Sequence, residues 1–279
     1  MPLIPLEDDY TDILGKAQRG LRITDAQLAS RAEITPTDLA SLKAGRFNEA
    51  VARRVARHLG LHPGALVLIA LNKYYPAQPV FRDGFAAFNS PCGGMAVNSY
   101  LLWDHRSRQA AIIDPGTSGE KLLLHLDSEK LDLRQIFLTH THHDHIADLG
   151  MILASAGTKT PPDIWLAASE APEVPGAKPF APGAIFHAGG IPLRTYPTGG
   201  HSPGGTTYHT DALSRPLAIV GDSLFAGSMG GSVSAYDDAL KNNWKYIFSL
   251  PKDTVLACGH GPLTTLAQEK KHNPFFARW

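Results

Sequence analysis

Apolar residues recur at helical spacing across residues 10–75, and this pattern predicts an all-helical region. Three short amphipathic runs occur there, with apolar faces formed by Leu28, Ala29 and Ala32, by Leu39 and Leu42, and by Val51, Val55 and Leu59. Thr24 and Thr35 precede the first two runs at the position of a helix cap, and Gly45 and Gly60 follow the second and third. We therefore expect three helices bounded by these residues.

Beyond residue 75 the pattern changes to short β-rich runs that alternate with helical ones, which is typical of an α/β domain. The predicted strands are 97–103, 109–116, 135–139, 163–167, 191–197, 217–222 and 254–261, and the predicted helices lie near 117–130, 146–156 and 235–249. Two prolines in residues 72–84 mark the boundary between the helical pattern and the mixed strand-and-helix pattern. The predicted organisation is a small helical domain over 1–75, a linker over 76–84 and a larger domain over 85–279.

Composition excludes several classes of protein. The 279 residues carry 26 Lys and Arg against 26 Asp and Glu, so net charge gives no reason to expect a nucleic-acid or membrane partner. The apolar stretch 64–72 is far shorter than the roughly 20 residues of a membrane span. The first ten residues lack the basic and apolar regions of a signal peptide. With only Cys92 and Cys258, we expect a cytoplasmic protein with reduced thiols and no membrane partner.

The helical region resembles the helix-turn-helix domain of phage-repressor-type regulators over 50 to 60 residues. A helix that reads DNA usually offers basic or amide side chains near its start, whereas residues 36–43 offer Pro36, Thr37, Asp38, Ser41 and Lys43. The Asp38 carboxylate would repel phosphate. DNA binding therefore stays open but is less favoured than docking or formation of a homo-oligomer through this region.

Candidate metal-binding and catalytic residues concentrate in the segment IFLTHTHHDHIAD, residues 136–148, which holds four of the 13 histidines. It contains the pattern H-x-H-x-D-H, and further candidates follow later predicted strands; the full set is His140, His142, Asp144, His145, His201, Asp222 and His260. Loops at strand ends can direct side chains into a common pocket. His105, His143, His187 and His209 match no such element and are predicted to be solvent or core residues, and Cys258 to be a buried residue of the last strand.

Imidazoles and carboxylates suit Zn²⁺, and also Fe or Mn. Seven ligands exceed what one four-coordinate ion uses, and they fit two ions that share one carboxylate. The sequence therefore predicts two divalent metal ions, with zinc favoured over iron or manganese.

The ordered set of motifs resembles the metallo-β-lactamase superfamily over roughly residues 85–265. The resemblance implies an αββα sandwich preceded by the small helical domain. It assigns His140, His142 and His201 to a first metal, Asp144, His145 and His260 to a second, and Asp222 to a bridge between them. Asp114, in the DPG that ends an early strand, would orient a ligand imidazole. Asp144 and Asp222 would take part in metal-dependent hydrolysis, with an ester-type carbon attacked by an activated water.

The strings GDSLFAGSMGG (221–231) and GHGPLTTLAQEKKHNPFF (259–276) are similar to glyoxalase II and its short relatives, which hydrolyse thioesters of glutathione. The resemblance thus implies a small thioester as substrate. Met229, Gly230, Gly231 and Ser232 stand where the family usually has a basic step, and only 19 residues follow His260, where the family has a glutathione-binding helical domain. Lactones and other small esters therefore remain alternatives.

Three other functions stay open: a persulfide dioxygenase with one iron, a helix-turn-helix regulator that uses the metal domain as a ligand sensor, and an inert scaffold that binds metal without turnover. Met229, Tyr236 and Cys92 are candidates for the pocket wall, and each is equally compatible with packing.

Overall fold

Two six-stranded β-sheets pack face to face in a computed structural model that describes residues 3–155 and 161–277. The first sheet, in spatial order, consists of β1 (Phe85–Cys92), β2 (Met95–Trp103), β3 (Gln109–Ile113), β4 (Asp132–Phe137), β5 (Asp163–Ala167) and β6 (Lys178–Phe180). The second consists of β7 (Ile185–Ala188), β8 (Ile191–Pro197), β9 (Thr206–Thr210), β10 (Leu217–Gly221), β11 (Val255–Cys258) and β12 (Thr264–Thr265). Strands β3 to β6 run parallel, as do β10 and β11, and the other neighbours are antiparallel.

Helices cover the outer faces of both sheets. They are α1 (Tyr10–Gly20), α2 (Asp25–Arg31), α3 (Pro36–Lys43), α4 (Glu49–His58), α5 (Pro63–Ala70), α6 (Gly119–Ser128), α7 (His143–Ile146), α8 (Leu149–Ser155), α9 (Tyr236–Asn242) and α10 (Leu266–His272), with a π-helical turn at Asn243–Ile247. Thr24 and Thr35 form capping boxes at the starts of α2 and α3, and Gly45 and Gly60 adopt the left-handed backbone that ends a helix. The helical N-terminal region and the αββα sandwich are confirmed.

Side-chain alternation along the second sheet shows how the layers are joined. On β10, Leu217 and Ile219 belong to the core between the two sheets, whereas Ala218 and Val220 face the other way. The outward side chains join one buried cluster that contains residues of α1 to α5, α9 and α10. The N-terminal helices therefore form the outer helical layer of the second sheet, while α6 and α8 cover the first. Whether residues 1–75 behave as a separate domain stays a prediction; their apolar core is continuous with that of the sheet.

Sequence patterns missed the shortest and least periodic elements. Strands β6 and β12 have three and two residues, too few to show a period, and β9 is buried throughout despite its polar sequence TTYHT. Strands β1 and β7 and helices α1, α5 and α10 were also not among the predicted elements. The helix expected near 146–156 corresponds to α8, which begins at Leu149, and the short helix α7 precedes it; residue 156 lies outside the described residues. Within the described part of the chain, no helix is long and apolar enough to cross a membrane.

Candidate metal centre

The predicted ligands follow strands that end at the same edge of the sandwich. Asp114 comes directly after β3, and His140 follows the parallel neighbour β4. In the second sheet Asp222 comes directly after β10, and His260 follows its parallel neighbour β11. Because parallel strands end at one edge, their following side chains converge there. The loop between β8 and β9 brings His201 to the same place.

Three imidazoles meet at one point. Nδ1 of His142 lies 3.1 Å from Nε2 of His140 and 3.0 Å from Nε2 of His201. All three atoms lie within 4.8 Å of one another. A tetrahedral ion with metal–nitrogen bonds of 2.0–2.1 Å would hold two such atoms about 3.4 Å apart, so this first trio has the spacing of a metal site.

A second trio is formed by Asp144, His145 and His260. Oδ2 of Asp144 lies 3.1 Å from Nε2 of His260 and 3.7 Å from Nε2 of His145. Nδ1 of His260 is 2.8 Å from the carbonyl oxygen of Ala96. When Nδ1 donates to that carbonyl, Nε2 is left with a free lone pair directed at the trio.

Asp222 stands between the two trios. Its Oδ2 lies 3.3 Å from Nε2 of His201, in the first trio, and 3.5 Å from Nε2 of His260, in the second, while Oδ1 lies 3.2 Å from Nε2 of His145. Nε2 of His145 and Oδ1 of Asp222 are buried and make no hydrogen bond of acceptable geometry with any described residue. The two atoms face each other at 3.2 Å, and either a proton or a cation between them would satisfy both.

The two trios differ in their electrostatics. Burial, together with the neighbouring His145, holds the pKa of His140 well below its ordinary value, and burial also lowers the pKa of His201. Imidazoles that stay neutral are ready to bind a metal ion.

In the second trio, carboxylates outweigh burial. Burial alone would lower the pKa of both histidines. Asp222 and Asp114 nevertheless raise the pKa of His145 to about 10, and Asp144 and Asp222 raise the pKa of His260 to about 11. Conversely, the hydrogen bond from His260 lowers the pKa of Asp144 to about 2 despite burial. The carboxylates of the second trio therefore favour the protonated form of both rings.

Asp114 links the two trios through its hydrogen-bond contacts. Its Oδ2 lies 2.9 Å from Nδ1 of His145 and accepts a hydrogen bond of 2.6 Å from the hydroxyl of Thr139. The same hydroxyl is 3.0 Å from Nδ1 of His140. Asp114 is 1% exposed, so these contacts are shielded from water. One carboxylate thus fixes the ring of His145 directly and that of His140 through Thr139.

Sequence reasoning missed Glu170, which joins two ligand-bearing loops. Its carboxylate accepts hydrogen bonds from the backbone N–H and the hydroxyl of Thr141, at 3.2 and 2.5 Å, and from the hydroxyl of Ser202 and the N–H of Gly204. Thr141 lies between two ligands in sequence, and Ser202 directly follows His201. A glutamate after a strand is common, so the sequence carries no signal of this role.

The start of the chain was also missed. Oε2 of Glu7 lies 3.9 Å from Nδ1 of His260, and Asp8 and Lys16 form a buried pair nearby, with their atoms 2.5 Å apart. Asp8 and Lys16 contact the loop that follows Asp222. No motif marks them, because their partners are more than 200 positions away in the chain.

The remaining candidates are not members of either trio. His143 and His187 are exposed, His105 is half-exposed beside Asp83, and His209 is buried 3.3 Å from Asp211. Cys258 is fully buried, which raises the pKa of its thiol. Met229 and Tyr236 pack in the cluster that joins the N-terminal helices to the second sheet, and Cys92 is half-exposed near the tip of the β1–β2 hairpin.

Comparison with known proteins agrees with this geometry. The family model described as "Metallo-beta-lactamase superfamily" matches residues 92–260. The hydroxyacylglutathione hydrolase GloC of Haemophilus influenzae is 30% identical over 210 residues, which cover 66% of this chain and 95% of that protein.

Solved structures show the same fold. The BLEG-1 B3 metallo-beta-lactamase has a TM-score of 0.59 and 28% identity and covers 69% of this chain and 100% of its own. TTHA1623, solved in a di-iron-bound form, has a TM-score of 0.54 and 27% identity and covers 67% of this chain and 99% of its own.

Proposed function

The chain belongs to the metallo-beta-lactamase superfamily, and from that premise we propose that it is a dinuclear hydrolase of a small thioester, similar in chemistry to glyoxalase II. The observation that carries the proposal is the position of Asp222, which lies 3.2–3.5 Å from ligands of both trios. A single carboxylate in that position can bind two ions at once.

The donor set fits two divalent ions. In this proposal His140, His142 and His201 hold the first, and Asp144, His145 and His260 hold the second, with Asp222 bound to both. Five imidazoles and two carboxylates suit zinc best and also accept iron or manganese. We propose zinc, with iron as the alternative that the di-iron form of TTHA1623 supports.

The two ions would supply an activated water and a Lewis acid for the carbonyl under attack. The protein groups then set geometry and charge. Asp144, whose pKa is lowered to about 2, is anionic at neutral pH and can accept a hydrogen bond from the attacking water. Asp114 keeps the Nε2 lone pair of His145 directed at the centre, since it lies at hydrogen-bond distance from Nδ1. Asp222, which contacts both trios, holds them in a fixed relative position.

A thioester is the favoured substrate because the GloC relative is named for the hydrolysis of hydroxyacylglutathione. Small esters and lactones use the same attack on a carbonyl carbon and are the alternatives. The structural likeness to BLEG-1 adds a β-lactam as a further substrate to include in the assay.

The test is to measure metal content and hydrolysis of S-lactoylglutathione on one purified sample. We expect about two metal ions per chain and turnover that Asp222→Ala reduces by at least 100-fold, because the shared ligand is lost. His187→Ala changes an exposed histidine and serves as the matched control. Full turnover by Asp222→Ala would contradict the proposal, whereas two bound ions with hydrolysis only of a lactone, ester or β-lactam would keep the site and replace the substrate.

A further inference from the structure

A buried ion pair ties the first helix to the catalytic half of the protein. Nζ of Lys16, on α1, lies 2.5 Å from Oδ2 of Asp8, and the two side chains are 15% and 7% exposed. Nζ also donates a hydrogen bond of 2.9 Å to the carbonyl oxygen of Met229, and the hydroxyl of Ser228 donates one of 2.5 Å to Asp8. Both partners lie in the loop that follows Asp222.

This loop, residues 228–231, is in direct contact with the proposed metal ligands. The N–H of Gly230 donates a hydrogen bond of 3.0 Å to the carbonyl oxygen of Asp222. The carbonyl oxygen of Gly231 lies 2.8 Å from Nδ1 of His201. A Cβ on Gly230 would come within 2.9 Å of the same Nδ1, so the loop and the ring are in close contact. A shift of the loop would therefore turn the ring of His201.

Stability alone does not explain why the chain keeps this pair. Exchange of a buried ion pair for apolar side chains is often neutral or favourable for stability, since desolvation offsets the attraction. What the pair adds is a fixed geometry: one ammonium and one carboxylate each bond a different residue of a loop rich in glycine. The family match begins at residue 92, so both members lie outside the part of the chain that it describes.

We propose that Asp8 and Lys16 are positioning residues of the metal centre, which hold the 228–231 loop and through it set the orientation of His201. Through His201 the Asp8–Lys16 pair acts mainly on the first metal position. It acts more weakly on the second, formed by Asp144, His145 and His260, through the backbone of Asp222. This inference rests on the dinuclear site of the proposed function and does not depend on which substrate is hydrolysed.

The test measures metal affinity in the full chain. Titration of the metal-free protein with Co²⁺ against a chelator gives two dissociation constants, and a His201→Ala variant shows which of them belongs to the first trio. Lys16→Met should raise that constant roughly 10- to 100-fold, as expected for the loss of an outer support of a metal ligand, and leave the other within about threefold. Ser228→Ala removes only the hydroxyl bonded to Asp8 and should act in the same direction with a smaller effect, which keeps the test available if Lys16→Met does not fold.

Lys43→Met is the matched control, because Lys43 forms an exposed pair with Asp25 and does not contact the loop. Unchanged constants in Lys16→Met, or in Ser228→Ala if the first variant does not fold, would overturn the inference. Equal weakening of both positions would also overturn it, since it indicates general loosening. A wild-type protein that binds fewer than two ions refutes the dinuclear proposal itself, whereas two ions without thioester hydrolysis refute only the substrate.

Discussion

Glu170→Gln is the substitution that most directly tests how the first trio is held in place. The glutamate is 5% exposed and accepts four hydrogen bonds, two at each carboxylate oxygen. Glutamine keeps one acceptor oxygen and replaces the other by an amide NH₂. The backbone N–H at that position then faces another donor, while the hydroxyl there can turn and accept a hydrogen bond from the amide. The shape of the side chain is almost unchanged, so the loss is in charge and hydrogen bonding alone.

The magnitude follows from those contacts. A hydrogen bond to a charged group contributes about 1.5–3 kcal/mol net, so the loss of one should lower the free energy of unfolding by about 1.5–3 kcal/mol. Donors from Thr141 and Ser202 outweigh burial and lower the pKa of Glu170 below its ordinary 4.5. The stability that this carboxylate provides is therefore present above pH 4.5 and is lost as pH falls through the lower folded pKa.

Urea unfolding of the metal-free proteins at pH 7 measures this difference, and chelator competition should show a 10- to 100-fold weaker first metal position. The advantage of the wild type should shrink as the pH is lowered below 4.5. Glu173→Gln, three residues away and exposed, is the control. A free energy of unfolding for Glu170→Gln within about 1 kcal/mol of the wild type would show that the bridge between the two loops contributes little.

Two further predictions concern the second metal position. Asp114→Asn should weaken metal binding there about 10- to 100-fold in chelator competition, because the charged partner of Nδ1 of His145 is lost; an unchanged dissociation constant would be inconsistent with the proposed orienting role. Metal loading at pH 7.5 should release about two protons, since the pKa values of His145 and His260, about 10 and 11, leave both rings protonated in the metal-free protein. The apparent metal affinity should then rise about 100-fold per pH unit. Calorimetry in two buffers of different ionisation enthalpy measures the number of protons released, and a release of fewer than one proton would contradict the prediction.

That the motif residues lie close together could be predicted from the sequence, because their spacing is local. In H-x-H-x-D-H, the spacing and the preceding apolar run determine which side chains reach the end of β4, and the structure brings His140, His142, Asp144 and His145 together there. Asp222 and His260 could be placed for the same reason, as each follows a buried run of a parallel strand.

The supporting residues could not be predicted, because their roles depend on tertiary contacts. Glu170 acts on Thr141 across 29 positions, and Lys16 acts on Met229 across 213. Neither separation leaves a pattern in one sequence. The side of the sandwich that the N-terminal helices cover is likewise set by the outward residues of β10 and β11, which resemble any other apolar strand positions.

The shared core of α1 to α5 and the second sheet has a consequence for biosynthesis. The helices are translated first, but the strands that bury their apolar face, β10 and β11, follow the end of α5 by roughly 150 residues, which is about 7–30 s at the usual rates of translation. During that interval the contacts of this layer with later parts of the chain, such as Gly20 with Tyr236 and Ile69 with Gly227, cannot form. Docking of this layer onto the sheet is therefore a late event with long-range contacts, and until then the nascent chain exposes the apolar surface through which the helices dock.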